Sequence, residues 1–245
     1  METTELYKGK VKLNFNPEKH HYTVDGRTID GVTTILGTLN KPALVPWAVK
    51  MCAEYMEQNL PVGVPLDEIT KKNLIAESKK IYSKKSGDAA DHGTMLHDWI
   101  ERWIKGQNPQ PFVNDILRKS AEQFVEWVKK EDVKFTSSER KVYSLKYDYC
   151  GTADIFGTIG GVPFVGDVKT SSGIYDEMLL QVAAYNGAVE EEAGQPCQLG
   201  IIIRCGKDGA FEIAKWDREK LLGAHQAFLG LLACYRFMKT LKFNK

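Results

Sequence analysis

GTADIFGTIGGVPFVGDVKTS, residues 151–171, is the stretch on which the fold turns. Apolar runs flank Gly160-Gly161, and Gly-Gly between such runs signals a two-residue hairpin loop. With that loop, Ile159 pairs with Val162 and every later pair keeps the same sum, so Asp154 is predicted directly opposite Asp167. Opposed residues in an antiparallel pair have Cβ atoms roughly 4.5–5.5 Å apart, where like charges destabilise the sheet. Two carboxylates so placed call for a cation between them. Side chains alternate faces along a strand, so Lys169 projects with Asp167, while Val168 points the other way and leaves its carbonyl near the ion.

An all-oxygen ligand set suits Mg²⁺ or Mn²⁺ better than zinc. Magnesium held by few carboxylates keeps several waters and accepts phosphate oxygens, which suits attack of activated water on a phosphodiester. Lys169 would orient that water or offset charge developing in the transition state. The competing explanation is a surface hairpin whose Asp and Lys form exposed cross-strand pairs of little consequence. A D-x-K motif alone does not separate the two.

The 245 residues can bury a sizeable core and are expected to form one elaborated domain. Residues 1–130 would contribute an N-terminal hairpin and helical region, and 131–245 the core sheet with the metal site. Hydrophobic residues at 43% and charged residues at 27% exclude wholesale disorder. With 33 basic against 32 acidic residues, the net charge of +1 offers no global field for a polyanion. Any nucleic-acid surface must be local. KKNLIAESKKIYSKK, residues 71–85, has six lysines against the single acid Glu77, and Lys79, Lys80, Lys84 and Lys85 are candidate DNA-backbone contacts or simply a solvated helix face.

Five scattered cysteines without C-x-x-C spacing argue against a disulfide framework, a structural zinc and an iron-sulfur cluster. The first residues lack the apolar segment of a signal peptide, and no apolar run reaches the roughly 20 residues of a membrane span. A cytoplasmic setting without membrane contact is the expectation.

Along the chain, strand-like alternation opens the N-terminus, and Asp25-Gly26 marks a second hairpin. Beyond Pro42 a helix is predicted over about 46–57, then helices over about 67–85, 88–105 and 112–131 from apolar residues at helical spacing. Strands resume at Val133. A helix over 175–193 stops at Gly194, QLGIIIRC reads as a strand covered on both faces, and KDGAFEIAKW reads as its hairpin partner. The last helix starts after Asp217, a good N-cap. This order predicts an α/β fold: a mixed central sheet flanked by helices, with an N-terminal helical region.

Gln181 and Tyr185 share one face of the helix after the D-x-K strand, where they could meet a phosphate or brace Lys169; taken alone, the pair reads instead as a solvated Gln181 and a core aromatic Tyr185. His97 is a competent ligand for Mn²⁺ and a weak one for Mg²⁺, yet spacing alone does not bring it to the hairpin. Glu139 is either a further acid at the metal or an exposed strand-end charge, and spacing does not decide it.

Taken together and in order, G-x-x-x-H at Gly93–His97, Glu139, G-T-x-D at Gly151–Asp154, G-D-x-K-T-S at Gly166–Ser171 and Q-x-x-x-Y at Gln181–Tyr185 resemble the PD-(D/E)XK nuclease superfamily. The likeness is to its RecB-like exonuclease branch, and VTTILGTLNKPALVPWA near the N-terminus is similar to those exonucleases too. The resemblance implies that Asp154 and Asp167 bind the metal with the Val168 carbonyl, that His97 joins them, and that Lys169 is the catalytic lysine. Gln181 and Tyr185, with Thr170 and Ser171, would contact the substrate. Ala153 stands where the superfamily's name has Pro. The expected activity is a Mg²⁺- or Mn²⁺-dependent exonuclease on single- or double-stranded DNA with free ends, serving recombination, repair or phage DNA processing. The rivals are an endonuclease on the same core and a non-catalytic nucleic-acid-binding protein.

Overall fold

The computed structural model describes residues 1–39, 41 and 44–241, with the side chains of residues 82, 85, 86 and 88–90 outside the described set. Pro42 and the Lys85 side chain, both singled out above, therefore lie outside the described residues. The chain divides into two compact units, Met1–Leu39 with Leu96–Lys245, and Asn40–Met95.

The first unit is built on a nine-stranded sheet. Four antiparallel strands open it: β1 (Glu2–Leu6), β2 (Val11–Asn16), β3 (His21–Val24) and β4 (Arg27–Gly31). Asp25 and Gly26 join β3 to β4 with φ of 51° and 77°, the doubly positive backbone of a type I′ turn. These N-terminal strands belong to the same sheet as β5 (Val133–Ser144), β6 (Tyr149–Ile159), β7 (Val162–Lys169), β8 (Leu199–Cys205) and β9 (Phe211–Trp216). The β4–β6 and β7–β8 pairs are parallel and the remainder antiparallel, so the sheet is mixed, as its sequence predicts.

The neighbours of β6 create an irregularity that matters below. One edge of β6 is bonded to β5 along its length. The other edge is shared between two strands: Tyr149 and Cys150 pair with Asp30 and Gly31 of β4, and Ile155 to Ile159 pair with β7. Gly151 to Asp154 lie in the gap between them.

Helices cover both faces of the sheet. On one, α1 (Val32–Leu36), α5 (Asp176–Ala193) and α6 (Arg218–Thr240) pack Ile35, Val182, Ala184 and Phe228 against Tyr149, Val165 and Ile202. On the other, Leu96 and Ile100 from the end of α3 (Glu68–Ile104), with Phe124 and Trp127 of α4 (Asp115–Lys130), pack against Ile155, Phe164, Ile201 and Ile203. Ile201, Ile202 and Ile203 are fully buried, so β8 is covered on both sides, and each such side chain contributes roughly 1.5–3 kcal/mol. The helix ends follow the sequence signals. Asn114 and Asp217 accept backbone N–H bonds as N-caps, and Gly194 closes α5 at φ 66°.

The second unit holds α2 (Leu44–Asn59) and α3 as far as Met95. The two helices expected over 67–85 and 88–105 are one continuous α3, running straight through Gly87. An interior glycine costs about 1 kcal/mol relative to alanine, too little to break a helix with good helix formers on either side and no proline. Lys79, Lys80 and Lys84 are exposed on it, and Lys80 pairs with Glu77 at 2.8 Å. Among the described residues no helix is long and apolar enough to cross a membrane.

Candidate metal centre

Gly160 and Gly161 turn the β6–β7 hairpin with φ of 55° and 83°, and the register is Ile159↔Val162 through Ile155↔Gly166. The next pair would be Asp154 and Asp167, but the ladder ends one step short of it. In its place the Val168 N–H donates to Asp154 Oδ2 at 2.8 Å. A side-chain carboxylate thus takes the place of a strand carbonyl where β6 loses β7.

Across the other edge of β6, the pairs Ser138↔Ile155 and Arg140↔Ala153 bracket Glu139 and Asp154. Glu139 has φ of 50°, an uncommon conformation for a residue with a Cβ, of the kind that breaks a strand's alternation and re-aims a side chain. The alternation is broken on β6 as well: Ala153 belongs to the core under α5 and Ile155 to the core under α4, although they are two residues apart. Asp154 sits at that switch, with Glu139 on one side and Asp167 on the other.

His97 comes from the α3 side. Its Nε2–H donates to the Val168 carbonyl at 2.9 Å, which leaves Nδ1 facing Asp154 Oδ2 at 3.4 Å. With Nε2 carrying the proton, a neutral imidazole presents a bare lone pair at Nδ1, and a lone pair facing a carboxylate requires either a second proton or a cation. His97, Glu139 and Asp154 each bring one donor atom to within 4.8 Å of the others. One imidazole nitrogen and two carboxylates fit a divalent cation, Mn²⁺ more readily than Mg²⁺ because of the nitrogen. Asp167 and the Val168 carbonyl, expected in the same ligand set, already have partners here. The carbonyl receives His97, and Asp167 is held by an ion pair with the Lys169 ammonium and by Gln181 Nε2 at 2.7 Å.

Gln181 and Tyr185 do share a face of α5, and that face looks into the core. Gln181 Nε2 also donates to Tyr185 Oη at 3.0 Å, and both residues are buried. The structure therefore brings them to Asp167 from inside the protein, where the sequence suggested a substrate contact. Gly151 makes room for this arrangement: a Cβ there would lie 2.6 Å from Tyr185 Cε1. The ring is 2% exposed and has nowhere to go. Gly151→Ala is expected to destabilise the fold by about 1–3 kcal/mol, lowering the melting midpoint by about 2–4 °C per kcal/mol. An unchanged midpoint in a thermal melt would show that the ring gives way.

The electrostatics follow from burial. Loss of water, then the nearby Asp154, pushes the Glu139 carboxyl up to about 7. The same two causes push Asp167 up to about 6. Burial by itself would lower Lys169, but the Asp167 and Asp154 carboxylates outweigh it and its pKa is raised, so the ammonium is kept. The Asp154 carboxylate raises both members of the Asp167–Lys169 pair, favouring the charged form of Lys169 and disfavouring that of Asp167. For Lys169 both neighbouring acids are attractive, whereas Asp167 also faces the like charge of Asp154 and has lost all its water.

Thr170 and Ser171 lie half-buried on the segment leaving β7. Ser171 Oγ donates to the Gly173 carbonyl at 2.8 Å. The candidate lysines Lys79, Lys80 and Lys84 belong to the second unit. Sequence spacing does not place two residues of interest. Glu139 meets Asp154 only through the β5–β6 register. Arg204 carries its signal in the sequence itself, as the lone charge that breaks the apolar strand GIIIRC.

No family model and no curated protein matches the sequence. Among solved structures, a protein from Eubacterium rectale named "Putative exonuclease" aligns over 84% of this chain and 86% of its own, with 13% identity and a TM-score of 0.43. A second, SSO0001, aligns over 76% of this chain and 86% of its own, with 15% identity and a TM-score of 0.31.

Proposed function

We propose that this protein is a Mg²⁺- or Mn²⁺-dependent deoxyribonuclease that hydrolyses phosphodiester bonds from the free ends of DNA. The observation that carries the proposal is the His97, Glu139 and Asp154 donor set standing beside the Asp167–Lys169 ion pair. When bound, the cation would polarise the scissile phosphate and make water nucleophilic near neutral pH. The chain's own part is positioning and charge. Asp167, held by Gln181 with Tyr185 behind it, would fix the Lys169 ammonium. That ammonium would donate to phosphate oxygens as negative charge grows on them. The order of motifs from His97 to Tyr185 and their likeness to RecB-like exonucleases support action from DNA ends. Recombination, repair or phage DNA processing in a bacterial cytoplasm is the matching setting. Lys79, Lys80, Lys84 and Lys85 would add salt-sensitive contacts to the DNA backbone.

The direct test is end-labelled linear DNA, single- and double-stranded, incubated with Mg²⁺, Mn²⁺ or EDTA, with covalently closed circles alongside. Stepwise loss from the ends with either metal, none in EDTA and intact circles are expected. Cut circles would replace the proposal with an endonuclease on the same core. No turnover with any divalent metal would leave a protein that only binds.

A further inference from the structure

Arg204 is the one charged residue of β8, and it is only 2% exposed among fully buried isoleucines. It pairs with Lys169 across the parallel β7–β8 ladder, so two cations stand side by side on adjacent strands. Lys169 has Asp167 as its counter-ion. Arg204 has its own: Nη1 donates to Glu212 Oε1 at 2.9 Å, and Nη2 to both oxygens of Asp208 at 3.0 and 2.9 Å. Gly206 leaves the space for this fork, since a Cβ there would lie 2.1 Å from Asp208 Oδ1 and 2.5 Å from Arg204 Nη2. The remaining direction of the guanidinium is aimed elsewhere: Nε–H donates to the backbone carbonyl of Ser171 at 2.8 Å.

Ser171 is two residues beyond Lys169, at the start of the segment that leads into α5 and Gln181. Stability alone does not call for an arginine here. Replacing a buried ion cluster by an apolar side chain of similar volume is often neutral or stabilising. Asp208 and Glu212, with side chains 60% and 52% exposed, would remain hydrated without their partner. The planar fork does what a hydrophobe cannot: it ties a backbone carbonyl next to the site to two acids of the β8–β9 hairpin.

We infer that Arg204 is a positioning residue, holding the Ser171 carbonyl and thereby the backbone from which the Lys169 ammonium reaches the metal centre. Its effect on turnover rests on the hydrolysis proposed above; its hold on the segment does not. A displacement of about 1 Å at a reacting group can cost on the order of 10²-fold in rate.

Arg204→Met tests both parts. Cleavage within residues 170–175 by a broad-specificity protease should be at least about tenfold faster, with α4 unaffected, because opening of that segment no longer has to break the guanidinium bond. On linear DNA, kcat should fall at least about tenfold with KM within about twofold, the pattern of a group that acts in the transition state. A merely structural role would lower the melting midpoint without that split. Arg204→Lys keeps the charge but not the fork, and should fall between the two; it carries the same measurements if the methionine variant does not fold. Unchanged cleavage within 170–175 would overturn the inference, and so would faster cleavage with an unaltered kcat. An inactive parent protein would overturn the proposed function instead, and the proteolysis experiment would still decide whether Arg204 holds the segment.

Discussion

Asp154→Asn should abolish metal-dependent cleavage while leaving the protein folded. Asp154 is central to the acid cluster: its Oδ2 accepts from the Val168 N–H and faces His97 Nδ1, and its charge raises both Glu139 and Asp167. An asparagine oxygen can still accept from Val168, so the β6–β7 junction should survive. The amide brings no charge to a divalent ion, and loss of such a group from a preorganised electrostatic site costs about 10²–10³-fold in kcat. Removing a like charge from a crowded cluster should also leave the metal-free variant melting no lower than its parent. The measurements are initial rates on end-labelled linear DNA, a calorimetric Mn²⁺ titration and a thermal melt in EDTA. Parental Mn²⁺ affinity in the variant would show that Asp154 is not a ligand.

The second large effect is on pH dependence. Glu139 is pushed from its ordinary 4.5 up to about 7, and Asp167 from 3.8 up to about 6, in each case first by burial and then by Asp154. A carboxyl whose folded pKa lies above its unfolded value binds more protons folded than unfolded between the two values. Stability is therefore full below the unfolded pKa and is lost as pH rises through the folded one. Without metal, the melting midpoint should fall from pH 5 to pH 8. Acids with lowered pKa, such as Asp148 and Glu131, lose their contribution only at lower pH, outside this window.

A cation takes the protons' place, so binding should release protons and Mn²⁺ affinity should rise with pH up to about 7. At pH 8, Mn²⁺ at a hundred times its Kd would restore about 2.7 kcal/mol. Glu139→Gln removes the most strongly raised acid. Its metal-free melting midpoint should vary less with pH and exceed the parent's at pH 8, while its Mn²⁺ affinity drops at least about tenfold. A variant that keeps the parent's slope of midpoint against pH would remove Glu139 from the cluster.

Local rules carried much of this structure. The Gly160-Gly161 turn fixed the β6–β7 register because positive φ at two glycines and a period of two leave few alternatives. Gly194, Asp217 and the unbroken apolar run of β8 were legible for similar reasons. What stayed hidden needs pairing between distant segments. The N-terminal strands join the sheet through β4 and β6, a partnership that no local pattern announces. Glu139 reaches the cluster through a register shift between Phe135 and Ser137 and its own left-handed backbone. His97 reaches it through packing of α3 on the sheet. For Gln181 and Tyr185, spacing shows that they share a helix face, but only packing shows whether that face meets water or the core. Conversely, the helices expected over 67–85 and 88–105 are one, because good helix formers on either side carry α3 through Gly87.

The hairpin zipper halts one notch before two carboxylates would be pressed together. Closing that notch would set Asp154 directly against Asp167, in place of the Val168 N–H that Asp154 accepts and the Lys169 ammonium that Asp167 faces. The unzipped step leaves Asp154 beside His97 and Glu139, so the end of the ladder and the place for a cation are one feature of the chain.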